Sequence, residues 1–373
     1  MATLRLNRDA LRANAAELDR RTAAHGVAYG VVSKLLCGTE PFLRELLALG
    51  PREVMDARVS NLEAVRRIDE GVRTVYIKPP APGAADDVVR VADASLNSEI
   101  PTLAALDDAA RRRGVRHGVL VMVEMGDLRE GVMEDRVQEF VDRALRFEHL
   151  RLEGLGVNFN CLNGTLPSRA KLQRLARLRS RIEERHGLML RWVSGGSSVV
   201  LPMLFAGDVP AEVNHLRIGE TLYYGRDLVN GATFGGMRDD VFELEAEVVE
   251  VAEKPDRPSG PFGDAPLGAS DAAAGEGPVG ATRRALLDAG WLDLEPHLLT
   301  PKEAGIEVVG VSSDMTVLDV ARRTAPTRVG ERLRFAVDYM GALKLLHSPY
   351  VDKEVVSDAD VAAVGRRAGS ARR

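Results

Sequence analysis

One lysine of the sequence has the surroundings that amine chemistry needs. Lys34 follows the apolar run Val31-Val32-Ser33, and a lysine that emerges from a buried strand is expected to be partly desolvated. Desolvation lowers the pKa of an ammonium group and favours the nucleophilic amine, which suits Schiff-base formation. A lysine that only extends its charge to solvent would fit the same position. Lys78 is the competing lysine, but the Pro79-Pro80 that follows it favours a turn.

A turn rich in glycine and serine could bind an anion. The sequence Ser194-Gly195-Gly196-Ser197-Ser198 precedes an apolar run with helical character. Glycines let the backbone approach an anion, and Ser197 or Ser198 can cap a helix and donate to the ligand. Gly219 and Glu220 follow a later strand, and the loops after strands 7 and 8 are the usual phosphate site of α/β barrels. An ordinary loop is the alternative.

Other polar residues near predicted strand ends could contact the same ligand. Arg217 stands among apolar residues and either binds a ligand or pairs with Glu212 or Glu220. Arg129 could pair with a carboxylate or phenolate, or be a surface arginine. Asn160 could donate a hydrogen bond, although asparagine is common in loops. A lysine, an anion site and inward arginines in one ring together indicate a phosphorylated aldehyde cofactor.

These residues follow strands in a repeating strand–helix pattern. Eight apolar or β-branched runs alternate with amphipathic stretches between residue 9 and about residue 220. This alternation predicts parallel βαβ units, and eight of them predict a TIM-type (β/α)8 barrel at residues 1–228. An open doubly wound sheet is the rival; it would normally have fewer strands and a glycine-rich turn after the first. The predicted strands are 28–33, 53–57, 74–78, 93–98, 119–125, 152–159, 191–194 and 214–218. The predicted helices include 8–24, 41–49, 60–70, 100–113, 134–146 and 168–186.

The pattern changes in the last third of the chain. Residues 241–253 nearly alternate between apolar and polar types, as in a half-exposed strand, and four shorter strand-like runs follow. Residues 255–280 are rich in Pro, Gly, Ala and Asp and predict a long loop. We therefore expect a smaller, mostly β domain at residues 229–353. Residues 354–373 have the composition of a disordered tail.

The composition excludes several classes of protein. The formal net charge of −5 gives no general attraction to nucleic acid or to a membrane surface. The chain lacks the roughly 18 uninterrupted apolar residues of a membrane-spanning helix and has no signal-peptide pattern at its start, which predicts a cytoplasmic location. The Cys and His residues lack metal-ligand spacing. The two cysteines favour thiols over a disulfide. Only seven lysines occur, so few compete with Lys34.

In combination the motifs resemble the fold-type III pyridoxal-phosphate (PLP) enzymes, specifically the alanine/ornithine racemase family. The resemblance covers about residues 3 to 353. It rests on the motifs Val32-Ser33-Lys34 with Cys37-Gly38, Asp56-Ala57-Arg58 with Asn61-Leu62, Ser95-Leu96-Asn97-Ser98-Glu99, Gly126-Asp127-Leu128-Arg129-Glu130-Gly131, Ser194-Gly195-Gly196-Ser197-Ser198, Leu216-Arg217-Ile218-Gly219-Glu220, Ser312-Ser313-Asp314 and Ser348-Pro349-Tyr350-Val351.

The resemblance implies a PLP-dependent amino-acid racemase and a role for each site residue. Lys34 matches the Schiff-base lysine, which also serves as one of the two bases that remove and return the Cα proton. Arg217 matches the arginine that bonds the pyridine nitrogen and keeps it unprotonated. The remaining matches are Arg129 near the phenolic oxygen, Asn160 where alanine racemases have a ring-contacting histidine, and Ser197, Ser198, Gly219, Glu220 and Tyr350 at the phosphate. The family implies a head-to-tail homodimer in which each site takes residues from the partner's β domain.

The second base departs from the family pattern. Alanine racemases place a tyrosine there, and ornithine-type members place a lysine, after a glycine early in the β domain. The matching residue here is Trp291, which cannot transfer a proton at neutral pH. Asp293, His297 and Asp314 are the nearest candidates, and we select Asp314 with Lys34 as the catalytic pair. A PLP-dependent decarboxylase or aldolase, which needs only one proton donor, and a non-catalytic PLP-binding protein are the alternatives.

Overall fold

The chain folds into two compact units. The structure, a computed structural model, describes residues 2–261 and 280–362. One unit spans Ala10–Asp239, and the other joins the N-terminal segment up to Asp9 to the chain from Asp240 onward. The boundary therefore lies about ten residues after the expected one at 228/229, and the first residues of the chain belong to the second unit rather than to the barrel.

The first unit is a closed parallel barrel with eight strands among its described residues. Strand β1 (Thr3–Asn7) belongs to the other unit. The barrel strands are β2 (Ala28–Val32), β3 (Glu53–Asp56), β4 (Arg73–Tyr76), β5 (Ala94–Asn97), β6 (His117–Glu124), β8 (Leu150–Val157), β9 (Trp192–Ser197) and β10 (His215–Ile218), with the two-residue β7 (Val132–Met133) beside β6. Around the barrel the strands follow the order β5-β4-β3-β2-β10-β9-β8-β6, and pairing of β5 with β6 closes the ring. The predicted barrel is confirmed, and each predicted strand overlaps an observed one.

Helices follow the barrel strands as the amphipathic pattern predicts. They are α1 (Arg8–Ala24), α2 (Glu40–Leu47), α3 (Val59–Ile68), α4 (Ala85–Val91), α5 (Ile100–Arg113), α6 (Val137–Ala144), α7 (Arg169–His186), α8 (Leu201–Phe205) and α9 (Glu220–Tyr224). The bounds of α1 and α5 match the prediction. Helix α4 lies between two predicted strands where the alternation predicts a helix, but no bounds were predicted for it, because seven residues after a Pro-Gly turn contain too few turns to show a helical period.

The barrel interior is a packed apolar core below its open end. Val32, Met55, Val75, Leu96 and Leu120 come from successive strands and contact one another in the centre. Gly30 leaves room for this packing, since a Cβ there would lie 2.6 Å from Cε of Met55. A filled interior leaves the loops after the strands as the place for chemistry.

The second unit is a mostly antiparallel β domain. Its elements are β11 (Phe242–Pro255), β12 (Ala281–Leu287), β13 (Leu299–Pro301), β14 (Glu307–Val311), β15 (Thr316–Asp319), β16 (Arg332–Val337), α10 (Tyr339–His347) and β17 (Asp352–Val356). The strands follow the order β13-β16-β11-β12-β15-β14, and β1 pairs with β11 and with β17. Strand β17 extends past the expected domain end at residue 353 because it pairs in parallel with β1. Most of the predicted loop at 255–280 and of the predicted tail at 354–373 lies outside the described residues.

Candidate active site

The predicted site residues of the barrel follow five neighbouring strands. Strands β2, β10, β9, β8 and β6 are adjacent in this order. Because the strands are parallel, the residues that follow them lie at the same end of the barrel. These residues are Lys34 after β2, Gly219 and Glu220 after β10, Ser198 after β9, Asn160 after β8 and Arg129 after β6, with Arg217 and Ser197 in the last residues of their strands.

Lys34 begins a short 3-10 turn directly after β2. Its side chain is exposed, so the burial that we expected to desolvate its amine is wrong for this chain. The backbone before it is fixed on two sides. Ser33 Oγ donates to Oδ2 of Asp56 at 2.8 Å, and the hydroxyl of Tyr223 donates to the carbonyl of Val32 at 3.1 Å. A rigid strand end therefore presents a side chain that is free to reach a ligand.

Asp56 is a buried carboxylate that orients this strand end, and the sequence reasoning assigned it no role. Its Oδ1 accepts hydrogen bonds from the backbone N–H of Arg58 at 2.9 Å and from Nδ2 of Asn61 at 3.1 Å. Burial raises the pKa of Asp56, while the bonds from Ser33, Arg58 and Asn61 act in the opposite direction. The spacing of Asp56, Arg58 and Asn61 within one motif was the available signal.

Arg217 lies inside the barrel with only 5% of its surface exposed. Its Nη1 donates to Oγ of Ser194 at 2.6 Å, and its Nη2 donates to the carbonyl of Val157 at 2.8 Å. Burial lowers the pKa of Arg217 to about 10, so the group stays cationic at neutral pH. A guanidinium has five N–H groups; these two bonds leave others for a ligand. Both oxygens are uncharged, unlike the carboxylate partners considered from sequence.

Arg129 forms an ion pair with the neighbouring residue. Its Nη2 lies 2.6 Å from Oε1 of Glu130, and its Nε also contacts the Glu130 carboxylate. The hydrogen bonds that Arg129 donates to the Glu130 carboxylate raise the pKa of Arg129. Oε1 of Glu130 also accepts from Nδ2 of Asn158 at 3.3 Å, so the loops after β6 and β8 meet here. Asn160 is exposed and has a left-handed φ of 56°.

Asp127, in the loop after β6, also bonds to the loop after β8. It is buried, and its carboxylate accepts from the backbone N–H of Cys161 at 3.1 Å and of Asn163 at 3.2 Å. Nδ2 of Asn163 donates to the backbone carbonyl of Asp127 at 2.7 Å. These bonds fix the backbone shortly before Arg129 and directly after Asn160.

The two loops of the predicted anion site contact each other. Ser198 is buried, and its Oγ accepts from the backbone N–H of Thr221 at 3.3 Å. This bond ties the turn after β9 to the start of α9. Gly219 lies against β2, since a Cβ there would be 3.1 Å from Cβ of Val32, and Gly196 has a φ of 134° that favours glycine. Hydroxyl and amide donors, a buried guanidinium and an exposed amine at one barrel end fit a phosphorylated pyridine aldehyde.

The remaining predicted site residues lie in the second unit. Tyr350 is 73% exposed. The backbone N–H of Trp291 donates to the carbonyl of Ser312 at 2.9 Å, and a side chain at Gly290 would overlap the backbone of Asp314. Asp314 is therefore a neighbour of Trp291, as the sequence reasoning expected. Oδ1 of Asp293 is occupied, since it accepts from Oγ of Ser348 at 2.5 Å.

Lys344 is a further basic group beside Trp291 that the sequence reasoning missed. Its Nζ lies 5.2 Å from the centre of the Trp291 ring and 3.6 Å from Oε1 of Glu295. His297 is exposed, with Nε2 3.6 Å from Oε2 of Glu295. The separation of 53 residues between Trp291 and Lys344 hid this contact, and the scarcity of lysine was the only available signal.

Comparison with known proteins gives similarity over more than nine-tenths of the chain. The family model for the alanine racemase N-terminal domain matches residues 6–227. An ornithine racemase from Acetoanaerobium sticklandii is 32% identical over 347 residues, which are 93% of this chain and 97% of that protein. A lysine racemase from Thermotoga maritima is 29% identical over 350 residues, which are 94% of this chain and 97% of that protein.

Solved structures confirm the fold. An alanine racemase from Clostridium difficile 630 has a TM-score of 0.76 at 14% identity and covers 96% of both chains. An alanine racemase from Bartonella henselae with covalently bound pyridoxal phosphate has a TM-score of 0.71 at 16% identity, covering 95% of this chain and 99% of that one. Within residues 2–261 and 280–362, no helix is both long and apolar enough to cross a membrane.

These similarities confirm three expectations from the sequence: the barrel with a C-terminal β domain, the PLP cofactor and an amino-acid racemase activity. The chain belongs to the alanine racemase family of fold-type III, PLP-dependent enzymes.

Proposed function

We propose that this chain interconverts the L and D forms of a basic amino acid of the ornithine and lysine class. The observation that supports this choice is its similarity, over more than nine-tenths of its length, to an ornithine racemase and a lysine racemase. Three acidic residues surround Trp291 in the second unit: the backbones of Asp293 and Asp314 contact Gly290, directly before Trp291, and Glu295 pairs with Lys344, whose Nζ lies over the Trp291 ring. A cluster of negative charge favours a cationic substrate side chain.

PLP, once bound, withdraws electrons from the substrate and makes its Cα–H acidic. The barrel residues then have separate tasks. Lys34 would hold the cofactor and move the Cα proton on one face. Arg217 would donate to the ring nitrogen, and because an arginine with a pKa of about 10 keeps its proton at neutral pH, it would leave that nitrogen unprotonated. Arg129 and Asn160 would contact the ring.

The phosphate is held by groups from two loops of the barrel. Ser197, Ser198, Gly219 and Glu220 supply hydroxyl and amide donors at the ends of β9 and β10. Hydroxyl groups and backbone N–H groups are donors from which a phosphate oxygen can accept hydrogen bonds. The bond between Ser198 and the backbone of Thr221 keeps the two loops in register.

The proton on the opposite face is moved by a group beside Trp291. Asp314 is the candidate that the sequence indicated, and Lys344 is the one added by the fold. Both act from the β domain, so the proposal includes the head-to-tail homodimer, in which a β domain completes the partner's site. It also includes a cytoplasmic location.

A panel of amino acids assayed by chiral chromatography in deuterium oxide tests the proposed function. We expect ornithine or lysine to yield both enantiomers with deuterium at Cα, at a higher kcat/KM than alanine. Release of carbon dioxide or an aldehyde would instead identify a lyase. PLP binding without turnover of any member of the panel would identify a non-catalytic protein.

A further inference from the structure

A continuous series of buried polar groups leads through the barrel interior to Arg217. Oγ of Ser194 accepts from Nη1 of Arg217 at 2.6 Å and lies 2.9 Å from Nδ1 of His215. Nε2 of His215 lies 2.6 Å from Oε1 of Glu53. All four side chains are buried, with at most 5% of their surface exposed. They come from β10, β9 and β3, so no single segment of sequence contains the series.

The two ends of this series fix the roles of their hydrogen-bonding groups. Burial alone would raise the pKa of Glu53, but the hydrogen bond from His215 and the charges of His215 and Arg73 lower it overall. Glu53 is therefore an ionised acceptor, and Nε2 of His215 donates to it. Arg217 has only donors, so Oγ of Ser194 accepts from it, and Nδ1 of His215 is the second partner of that hydroxyl.

This arrangement holds Arg217 without neutralising it locally. A carboxylate in direct contact would bind two N–H groups of the guanidinium at once and compete with a ligand for the charge. Ser194 and the carbonyl of Val157 take one N–H each. The charge of Glu130 acts on Arg217, and Glu53 lies two side chains further along the series. The guanidinium keeps both its charge and its remaining donors.

We propose that Ser194, His215 and Glu53 are positioning residues that fix the guanidinium of Arg217 against the ring nitrogen of PLP. The proposal rests on the role of Arg217 in the proposed function. Ser194 sets the position of the guanidinium, His215 holds the Ser194 hydroxyl, and Glu53 holds the ring of His215. Displacement of Arg217 changes the hydrogen bond to the ring nitrogen, and with it the absorbance of the bound cofactor.

The barrel contains a matched control for this series. Oγ of Ser95 lies 2.8 Å from Nε2 of His117, and both residues are buried. This second serine–histidine pair joins β5 to β6 and has no described bond to Arg217. Loss of the Ser95–His117 pair therefore reports the effect of removing a buried serine–histidine contact from the same barrel.

The experiment titrates purified apoprotein with PLP and records the dissociation constant and the visible absorbance maximum. We expect Ser194→Ala and His215→Phe each to weaken PLP binding by about 10-fold, the scale of one hydrogen bond to a charged group, and to shift the absorbance maximum. Ser95→Ala and His117→Phe leave both quantities at wild-type values. Circular dichroism and thermal unfolding verify that each variant is folded. If His215→Phe does not fold, Glu53→Gln replaces it as the test variant. It preserves the shape of the side chain, and we expect it to shift the absorbance maximum in the same way.

A double variant provides a second readout. Because the series acts as a unit, Ser194→Ala with His215→Phe weakens PLP binding no more than the larger single effect, whereas independent contacts would add. Unchanged spectra and affinities in folded Ser194→Ala and Glu53→Gln proteins would overturn the positioning role and leave the proposed function intact. A wild-type protein that binds no PLP would overturn both.

Discussion

The hydroxyl of Ser33 donates a 2.8 Å hydrogen bond to the buried carboxylate of Asp56. Ser33 directly follows β2, Asp56 ends the neighbouring strand β3, and Lys34 directly follows Ser33. This bond couples the position of Lys34 to a carboxylate 22 residues further along the chain. The backbone of Lys34 is therefore fixed by the tertiary structure, while its side chain remains exposed.

Asp56→Asn should lower kcat/KM by about 10-fold with a small change in thermal stability. The amide keeps the size of the carboxylate but offers one acceptor in place of two, so Ser33 or Asn61 loses its bond, at a cost of about 1–2 kcal/mol. Steady-state racemisation and thermal unfolding measure the two effects. Asp93→Asn is the control, since Asp93 accepts from the backbone of Thr74 just before β5 begins, at the other barrel end. Equal losses of activity in the two variants would contradict a special role for Asp56.

Lys34→Ala should lose the visible absorbance of covalently held PLP together with racemase activity. A Schiff base needs an amine, and the sequence has no other lysine between β2 and β3. Lys78→Ala is the matched control, because Lys78 follows β4 in the same barrel. We expect it to keep both properties. A Lys34→Ala protein that retained the wild-type absorbance would refute the assignment of the cofactor lysine.

Variants beside Trp291 should separate the two candidates for the second base. Removing one of two bases blocks proton transfer on one face only. Deuterium exchange at Cα from one enantiomer then continues while formation of the other falls by about 100-fold, the lower range of an acid–base contribution. We expect this asymmetry in either Asp314→Asn or Lys344→Gln. His297→Gln, on an exposed residue of the same unit, should behave as wild type. Symmetric rates in all three variants would place the second base elsewhere.

His117 should make the stability of the protein fall on acidification. Burial lowers the pKa of His117 to about 4, from an ordinary value of 6.5. Between these values the unfolded state binds more protons, so the stabilisation is present above pH 6.5 and is lost as the pH falls toward 4. The full effect is about 3 kcal/mol. Chemical denaturation at several pH values measures it, and His117→Phe should flatten the dependence in this range. An unchanged slope in the variant would show that other groups cause it.

The sequence by itself determined the barrel and the β domain, and it placed Lys34 after the first barrel strand. Periodicity is a local property, so eight buried strands separated by amphipathic helices could be recognised without knowledge of contacts. The ends of parallel strands must lie at one end of a barrel. For this reason the strand ends at Lys34, Arg129, Ser197 and Arg217 could be grouped in advance.

The tertiary structure decided what sequence distance hides. Strand β1 belongs to the second unit because it pairs with β11 and β17, more than 230 residues away in the chain. The exposure of Lys34 depends on how its turn packs, and the contact of Lys344 with Trp291 depends on where α10 lies. The bonds that link Arg217 to Ser194, His215 and Glu53 span up to 162 residues. A side chain's partners follow from the folded arrangement of strands, whereas a strand's existence follows from its own residues.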